Sequence, residues 1–493
     1  MKIIIFSTTE VSEKKAVTQD GCHVNNGKFK YNNGIEFNAS RYGVEIIAYC
    51  DFFDNIKTDS YQNLPLLAIN KIKNVSFDYI ILNKTDENLA KSLLKSNGIA
   101  DNKILSFDSQ RRACLSLFQQ GTSVCVRKFS IQNQEQLATA TCFSVERVVT
   151  EVIPNAKELE NRHEDIVHEV FQAYKNAKDS SNIAQKDLQV GENWFEFLKR
   201  TRPKFYEVMK NNDLKKLEGL LENFYRNEMS TGILGGEEGF NLFINDSNYI
   251  ANFRNIFNTW KNSVKNHNLT NVACPEVGNP YGILLDGYVI HPNNFLNHYR
   301  SEFTMRLLSD NKKSIIVEVG GGYGGYARSL FHNNFNGVYI NFDLPENLLV
   351  SSYFLKLLYP EKKILCYENN LQQIDQKLLS KYDVILMPHY MIEKMVERSA
   401  DLCINTISFS EMDYDNIQYY VDNFSRIAKK YIYHENMLDG GAGYKFFSES
   451  TFPRFQDFKQ LFSVPSRWSW FNLNSSMHHH GEFLFERMKS KGE

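Results

Sequence analysis

The chain has 493 residues, a formal net charge of −2, and hydrophobic and charged fractions of 42% and 23%. That length exceeds one ordinary core and predicts two or three domains, and the near-neutral charge offers no basic field to nucleic acid or an anionic membrane. Its eight cysteines are scattered without a C-x-x-C pair, which argues against a disulfide framework or a zinc site and suits a reducing compartment.

The N-terminal "MKIIIFSTTE" is too short and too weakly charged for a signal peptide and reads as a strand. "VEIIAYCDFFD" (44–54) and "FDYIILN" (77–83) read as further strands. "DENLAKSLLKSNGI" (86–99) has helical spacing and a glycine stop, and "KILSF" follows as a strand. Residues 1–110 are therefore expected to form a Rossmann-like α/β domain. Asp51 and Asp54 stand where such a unit often keeps a ribose-binding acid. Its first strand–helix turn, "STTEVSEKK", has no glycine for close backbone approach to a pyrophosphate. A docking or scaffold role is preferred to nucleotide binding there. The unit looks similar to small domains attached to bacterial sugar-modifying enzymes.

Residues 111–190 read as a connecting region. It contains an amphipathic helix (156–178), with Leu159, Ile166, Val170 and Tyr174 on one face, and a polar linker (179–193). Residues 191–310 read as a helical cap over an acceptor site. Within it, "PEVGNPYGILLDGYVIHP" is expected to be loop before a helix, with Tyr281, Asp286, His291 and His298 as candidate acceptor contacts. A rigid turn without binding function is the alternative. No apolar run is long enough to span a bilayer. The expectation is a cytoplasmic protein, for which a homo-oligomer remains open.

From residue 311 strand and helix alternate. "VEVGGGYGGYARSLF" (317–331) puts Glu318 at a strand tip and five glycines into the next six positions from Gly320. Glycines permit positive φ and let a ligand lie against the chain; the helix that follows points free amides at it. Gly320, Gly322 and Gly325 also satisfy the dinucleotide fingerprint. Asp343 ends the next strand, where a carboxylate can accept both ribose hydroxyls. Glu318 suits the cationic end of a sulfonium amino acid and would repel a pyrophosphate. At the C-terminus, "SRWSWFNLN" and "GEFLFERM" read as an antiparallel hairpin around His478–His480, a triplet assigned to an exposed turn. Such a hairpin closing a parallel sheet is the usual topology of class I methyltransferases.

"IIVEVGGGYGGYARSLF", "INFDLPENLLVSSYFLKLLYP", "ADLCINTISFSEM", "STGILGG" and "VGNPYG" together resemble the sugar O-methyltransferase family whose named member acts in nanchangmycin biosynthesis. The resemblance covers about residues 190–493. It implies a class I, Rossmann-like core over 311–493 with S-adenosyl-L-methionine (SAM) as cofactor. It also implies O-methylation of a sugar, free or carried on a nucleotide, lipid or glycan, and carries Glu318, Gly320, Gly322, Gly324 and Asp343 over as cofactor positions. Gly321 and Asn405 complete the candidate cofactor set.

A sugar hydroxyl is a very weak acid, so a base, or a metal lowering its pKa, is expected. Site residues gather at the carboxyl ends of the strands. His389 after "DVILMP" is the preferred base, then Glu411 and His434. A divalent ion held by these three is the less favoured alternative, and no metal site is assigned. The other readings are an NAD-dependent sugar oxidoreductase and a non-catalytic module of a glycan-assembly complex.

Overall fold

The computed structural model describes residues 2–7, 22–25, 28–31, 36–38, 45–51, 60–61, 64–77, 79–83, 87–100, 103–106, 145–181, 192–245, 249–308, 313–369, 371–437, 452–466, 468 and 480–489. The chain divides into two compact units. One is residues 1–131 with 461–483, the other residues 132–460 with 484–493.

The first unit contains β1 (Lys2–Ser7), β2 (Cys22–Asn25), β3 (Lys28–Tyr31), β4 (Glu36–Asn38), β5 (Glu45–Asp51), β6 (Ser60–Tyr61), β7 (Leu64–Ala68), β8 (Tyr79–Asn83), helix α1 (Glu87–Ser96) and β9 (Ile104–Ser106). One sheet has the order β6-β7-β5-β1-β8-β9. β1 lies parallel to both β5 and β8, as an α/β crossover unit requires. Ile4, Ile80, Leu82 and Leu94 form its core. The antiparallel meander β2-β3-β4 is an addition that the strand pattern did not announce. Asp51 ends β5; Asp54 and most of the glycine-free turn lie outside the described residues.

The second unit opens with β10 (Val145–Val149), then the helices α2 (Glu160–Ser181), α3 (Glu192–Thr201), α4 (Pro203–Asn211), α5 (Leu214–Glu222), α6 (Gly236–Asn245) and α7 (Tyr249–Ser263). Next come β11 (Gly282–Leu285), β12 (Tyr288–Ile290) and α8 (Pro292–Leu307). Residues 145–181 are built into this unit rather than merely connecting. β10 pairs antiparallel with β11. Ile166, Val170 and Tyr174 of α2 are buried, while Leu159 is only partly so. The stretch expected as loop is a hairpin instead. Asp286 and Gly287, with φ of 48° and 80°, form its two-residue turn, and Asp-Gly between apolar runs favours that turn because both positions need φ > 0.

The remaining elements are β13 (Ile315–Val319), α9 (Gly325–His332), β14 (Val338–Asp343), α10 (Pro345–Leu358), β15 (Ile364–Leu365), α11 (Gln376–Lys381), β16 (Val384–Pro388), β17 (Ala400–Thr406), α12 (Tyr414–Ile427), β18 (Ala428–Met437), β19 (Phe458–Pro465) and β20 (His480–Arg487). The sheet order is β15-β16-β14-β13-β17-β18-β20-β19. From β15 to β18 every pair is parallel. β14 and β16 are buried along their whole length, which is why they read as continuous apolar runs. The order reverses between β13 and β17, and such a switch point opens a crevice at the carboxyl ends of the strands. The penultimate strand lies earlier than expected, at "FKQLFSVP": Pro465 ends it, since proline cannot donate to a ladder. His480 is the first residue of β20 and is buried, not exposed; His478 and His479 lie outside the described residues.

Candidate cofactor and catalytic site

The turn after β13 is built on positive φ. Gly320, Gly322 and Gly324 have φ of 80°, 59° and 89°, values that cost an L side chain roughly 1–2 kcal/mol. Space forbids a side chain as well. A Cβ on Gly320 would collide with Ser408, and one on Gly322 would lie 2.9 Å from Ile233 Cγ2. The bare backbone thus accommodates two other walls of the site, the segment after β17 and the 230–236 segment. Gly320 N donates to Phe342 O (2.9 Å) and Gly324 N to Gly321 O (3.1 Å). Gly321 N donates to Asn341 Oδ1 (3.0 Å).

Asp343 at the tip of β14 is tied to this turn. Its Oδ2 accepts from Gly322 N (2.8 Å), and its Oδ1 from Leu344 N (2.7 Å) and Asn347 Nδ2 (3.0 Å). Burial nevertheless pushes its carboxyl up to about 6, against the pull of these donors.

A cavity opens over these groups. It holds about 900 Å³ of empty space, its open mouth included, and its wall comprises Gly320, Gly322, Asp343, Asn347, His389, Ser408, Glu411, Asp413, Asn416 and Tyr420 with Gly232, Ile233 and several apolar neighbours. Among the described residues the wall carries three carboxylates, Asp343, Glu411 and Asp413, and no lysine or arginine. Glu411 stands in the open mouth yet is densely surrounded by protein. Desolvation first, then the charge of Asp343, raises its carboxyl to about 7.

The floor beyond β17 is strained. Ile407 has φ 73° and ψ −41°, a region a β-branched residue enters at a cost of order 1–3 kcal/mol. Its N–H donates to Glu435 O (2.7 Å), and Glu435 is clamped by the buried Arg300 at 2.7 and 3.0 Å. This kink turns Ser408 towards Gly320 and brings Glu411 to the cavity.

The candidate residues separate into two groups. Gly320, Gly322, Asp343, His389 and Glu411 share the cavity. Glu318 is buried and accepts from Tyr339 Oη; burial raises its carboxyl to about 7. It is not among the wall residues, and neither is Gly321 or Gly324, the latter being the N-cap of α9. Asn405 is turned inward: its Nδ2 donates to Val319 O (3.0 Å) and Ser408 Oγ (2.5 Å), and its Oδ1 accepts from Asn436 Nδ2 (2.9 Å).

His434 lies outside the wall, stacked between Phe452 and Phe485 at centroid distances of 4.7 and 5.9 Å. Burial drives its pKa down to about 3, so it is a neutral packing residue, and it does not join His389 and Glu411 as a ligand set. Among the described residues the one group of three close potential metal ligands, His163, Glu218 and Glu222, is elsewhere.

The four acceptor candidates are not among the residues that line the cavity. Tyr281 packs edge-on against Phe240, Phe243 and His291. Asp286 is the exposed hairpin turn. His291 caps α8, accepting from Asn293 N (3.3 Å), and His298 Nδ1 accepts from Trp260 Nε1 (2.9 Å). Burial lowers both histidines to about 4. The sequence gives no binding role to the 230–236 segment, Asn347, Asn416 or Tyr420, which line the cavity beside Asp413, the N-cap of α12. The glycines of "STGILGG" and the i, i+3, i+7 spacing on α12 were the available signals.

The strand order β16-β14-β13-β17-β18-β20-β19 is that of a class I, Rossmann-like methyltransferase core. No protein-family model matches the sequence, and no curated protein matches it. Solved structures do show a likeness. Geranyl diphosphate C-methyltransferase from Streptomyces coelicolor A3(2) is 12% identical, with a TM-score of 0.28, over 38% of this chain and 77% of that one. Magnesium protoporphyrin IX methyltransferase from Synechocystis PCC 6803, with bound S-adenosyl-L-homocysteine, is 8% identical, with a TM-score of 0.28, over 50% of this chain and 97% of that one. Mitomycin 7-O-methyltransferase is 11% identical, with a TM-score of 0.25, over 40% and 57%.

Proposed function

We propose that this protein is a SAM-dependent O-methyltransferase whose acceptor is a sugar hydroxyl. The observation that supports it is the charge of the cavity wall. Three carboxylates without a described cation suit a sulfonium and an α-ammonium group, and they repel a pyrophosphate. NAD and its oxidoreductase chemistry therefore fit the wall poorly. The sugar acceptor rests on the sequence resemblance and on the polar face that Asp413, Asn416 and Tyr420 add to the wall.

Asp343 would accept the ribose hydroxyls, and the Gly320–Gly322 backbone would lie against the cofactor. When bound, SAM supplies a methyl group on a sulfonium leaving group. The protein's own task is to place the hydroxyl oxygen in line with that methyl and to receive the hydroxyl proton. His389 and Glu411 both stand in the cavity to receive it.

The test is calorimetric titration with SAM and with NADH, followed by incubation with methyl-labelled SAM and a panel of free sugars, nucleotide sugars and glycans. SAM binding and labelled sugar product are expected. Binding of NADH with no response to SAM would overturn the reading.

A further inference from the structure

Arg202, between α3 and α4, is completely buried. Its Nη2 donates to Thr231 O (2.6 Å) and to Asn347 Oδ1 (3.0 Å). Asn347 Nδ2 in turn donates to Asp343 Oδ1 (3.0 Å). Thr231 leads directly into Gly232 and Ile233, which line the cavity, and Ile233 covers Gly322. One guanidinium therefore joins the 231–236 segment, the start of α10 and the tip of β14. Its Nε and Nη1 have no hydrogen-bond partner among the described residues. A buried charge so sparsely bonded is a costly filler, which an apolar side chain of similar volume would replace without that penalty.

We propose that Arg202 is a positioning residue that locks the 231–236 segment, Asn347 and Asp343 into a single cofactor-gripping arrangement. The inference rests on the SAM reading above and adds the residue that sets the shape and field of its ribose end. Geometry gives the first consequence: without Arg202, Asn347 loses the partner that orients its amide towards Asp343, and Thr231 loses its anchor. Charge gives the second. Burial raises the Asp343 carboxyl, the hydrogen bonds from Asn347, Leu344 N and Gly322 N and then the charge of Arg202 favour its ionised form, and Glu318, Glu411, Tyr339 and Tyr420 in their negative forms oppose it; Arg202 itself faces Glu346, Tyr206, Asp343 and Glu228. Arg202 is thus a cation shared between Glu346, Asp343 and Glu228, and part of its charge offsets the acidic surround of Asp343. Removing it moves proton uptake by Asp343 from about pH 6 to higher pH.

The experiment is calorimetric titration of the full chain with SAM between pH 5.5 and 8, for the wild type, Arg202→Lys and Arg202→Met. Wild-type affinity is expected to fall as pH drops through about 6. Arg202→Met should bind roughly tenfold or more weakly at pH 7, as for loss of a charged hydrogen-bond partner, and its acid-side decline should begin at higher pH. Arg202→Lys should keep the wild-type pH limb while losing part of the affinity, because it retains the charge but not the fork. Folded Arg202→Met with wild-type affinity and pH limb would overturn the proposal. So would weaker binding with an unmoved limb, the mark of a merely structural role. If Arg202→Met fails to fold by circular dichroism, Arg202→Lys carries the test, and wild-type affinity in it would overturn the proposal. Failure of both to fold would make Arg202 a structural residue and end the inference. A wild type blind to SAM would overturn the cofactor reading itself, and this inference with it.

Discussion

The two candidate bases in the cavity, Glu411 and His389, can be told apart by substitution. Glu411 is raised to about 7, so as a base it is active only above that value. The expected kcat of the wild type then rises with pH through about 7, and Glu411→Gln lowers kcat by ~10²-fold and removes that inflection. If kcat in Glu411→Gln stays near the wild-type value, His389 is the proton acceptor, and His389→Ala should show the loss instead, with SAM affinity nearly intact. Asp343→Ala should cost on the order of 1–3 kcal/mol of SAM affinity, measured by calorimetry. His434 belongs to stability rather than chemistry. Its pKa is depressed to about 3 in the fold, against about 6.5 in an unfolded chain. The neutral, stacked ring therefore favours the fold above pH 6.5, and that contribution fades as pH falls from 6.5 towards 3. His434→Phe should flatten the loss of melting temperature over that window while leaving kcat within a few-fold. An unchanged acid limb of melting temperature would show that the ring is not buried as described.

At the level of elements, the glycine turn meets walls that arrive from distant parts of the chain. Gly320→Ala meets both a φ of 80° and Ser408. Removing Ser408 by Ser408→Gly relieves only the second. Measured against Ser408→Gly alone, which already lacks the Ser408 hydrogen bonds to Asn405 and Val319, the double variant should therefore stay destabilised by roughly 1–2 kcal/mol, the cost of left-handed backbone in an L residue, as read from urea unfolding. Full recovery would show that contact alone demands glycine there. This division also explains what was legible. Strand β13, the turn, Asp343 and His389 could be read because local pattern determines them: an apolar run, a glycine cluster, an acid or a proline at the strand end. The inward turn of Asn405 and the retreat of Glu318 beneath the turn could not be read, because each depends on a partner far along the chain, Asn436 in one case and Tyr339 in the other. His291 and His298 looked like ligands only because sequence does not show that Trp260 and a helix N-terminus already use them. The hairpin at 282–290 was legible in principle: its Asp-Gly turn carries the signal, and the density of proline, asparagine and histidine around it obscured it.

For the molecule as a whole, composition shifts place a linker at 179–193, and on that basis a chain starting near Gly191 would keep the cofactor core. The packing argues otherwise. Helix α2 lies before that cut and is held to the core by several specific contacts. Lys178 Nζ pairs with the buried Glu346 (3.0 Å), Tyr390 Oη donates to Ala177 O (2.9 Å), and His163 Nε2 meets Tyr353 Oη (2.7 Å). Ile166, Val167, Val170, Phe171 and Tyr174 are all buried. The cut removes these five side chains and bares the apolar surface they cover; at about 1.5–3 kcal/mol of burial for each large side chain, the loss approaches the whole stability of an ordinary domain, about 5–15 kcal/mol. Glu346 would also lose the lysine that faces it from α2 in a buried setting, and α10 carries Asn347, a residue of the cavity wall. A chain starting at Glu192 is therefore expected to be insoluble or unable to bind SAM. One starting at Gln132, which retains β10 and α2, is expected to fold and to bind SAM within a few-fold of the full chain. Circular dichroism melting and SAM calorimetry on the two chains decide it. Equal binding by both would mean that α2 is dispensable, and failure of the longer chain would mean that residues 1–131 complete the cofactor core.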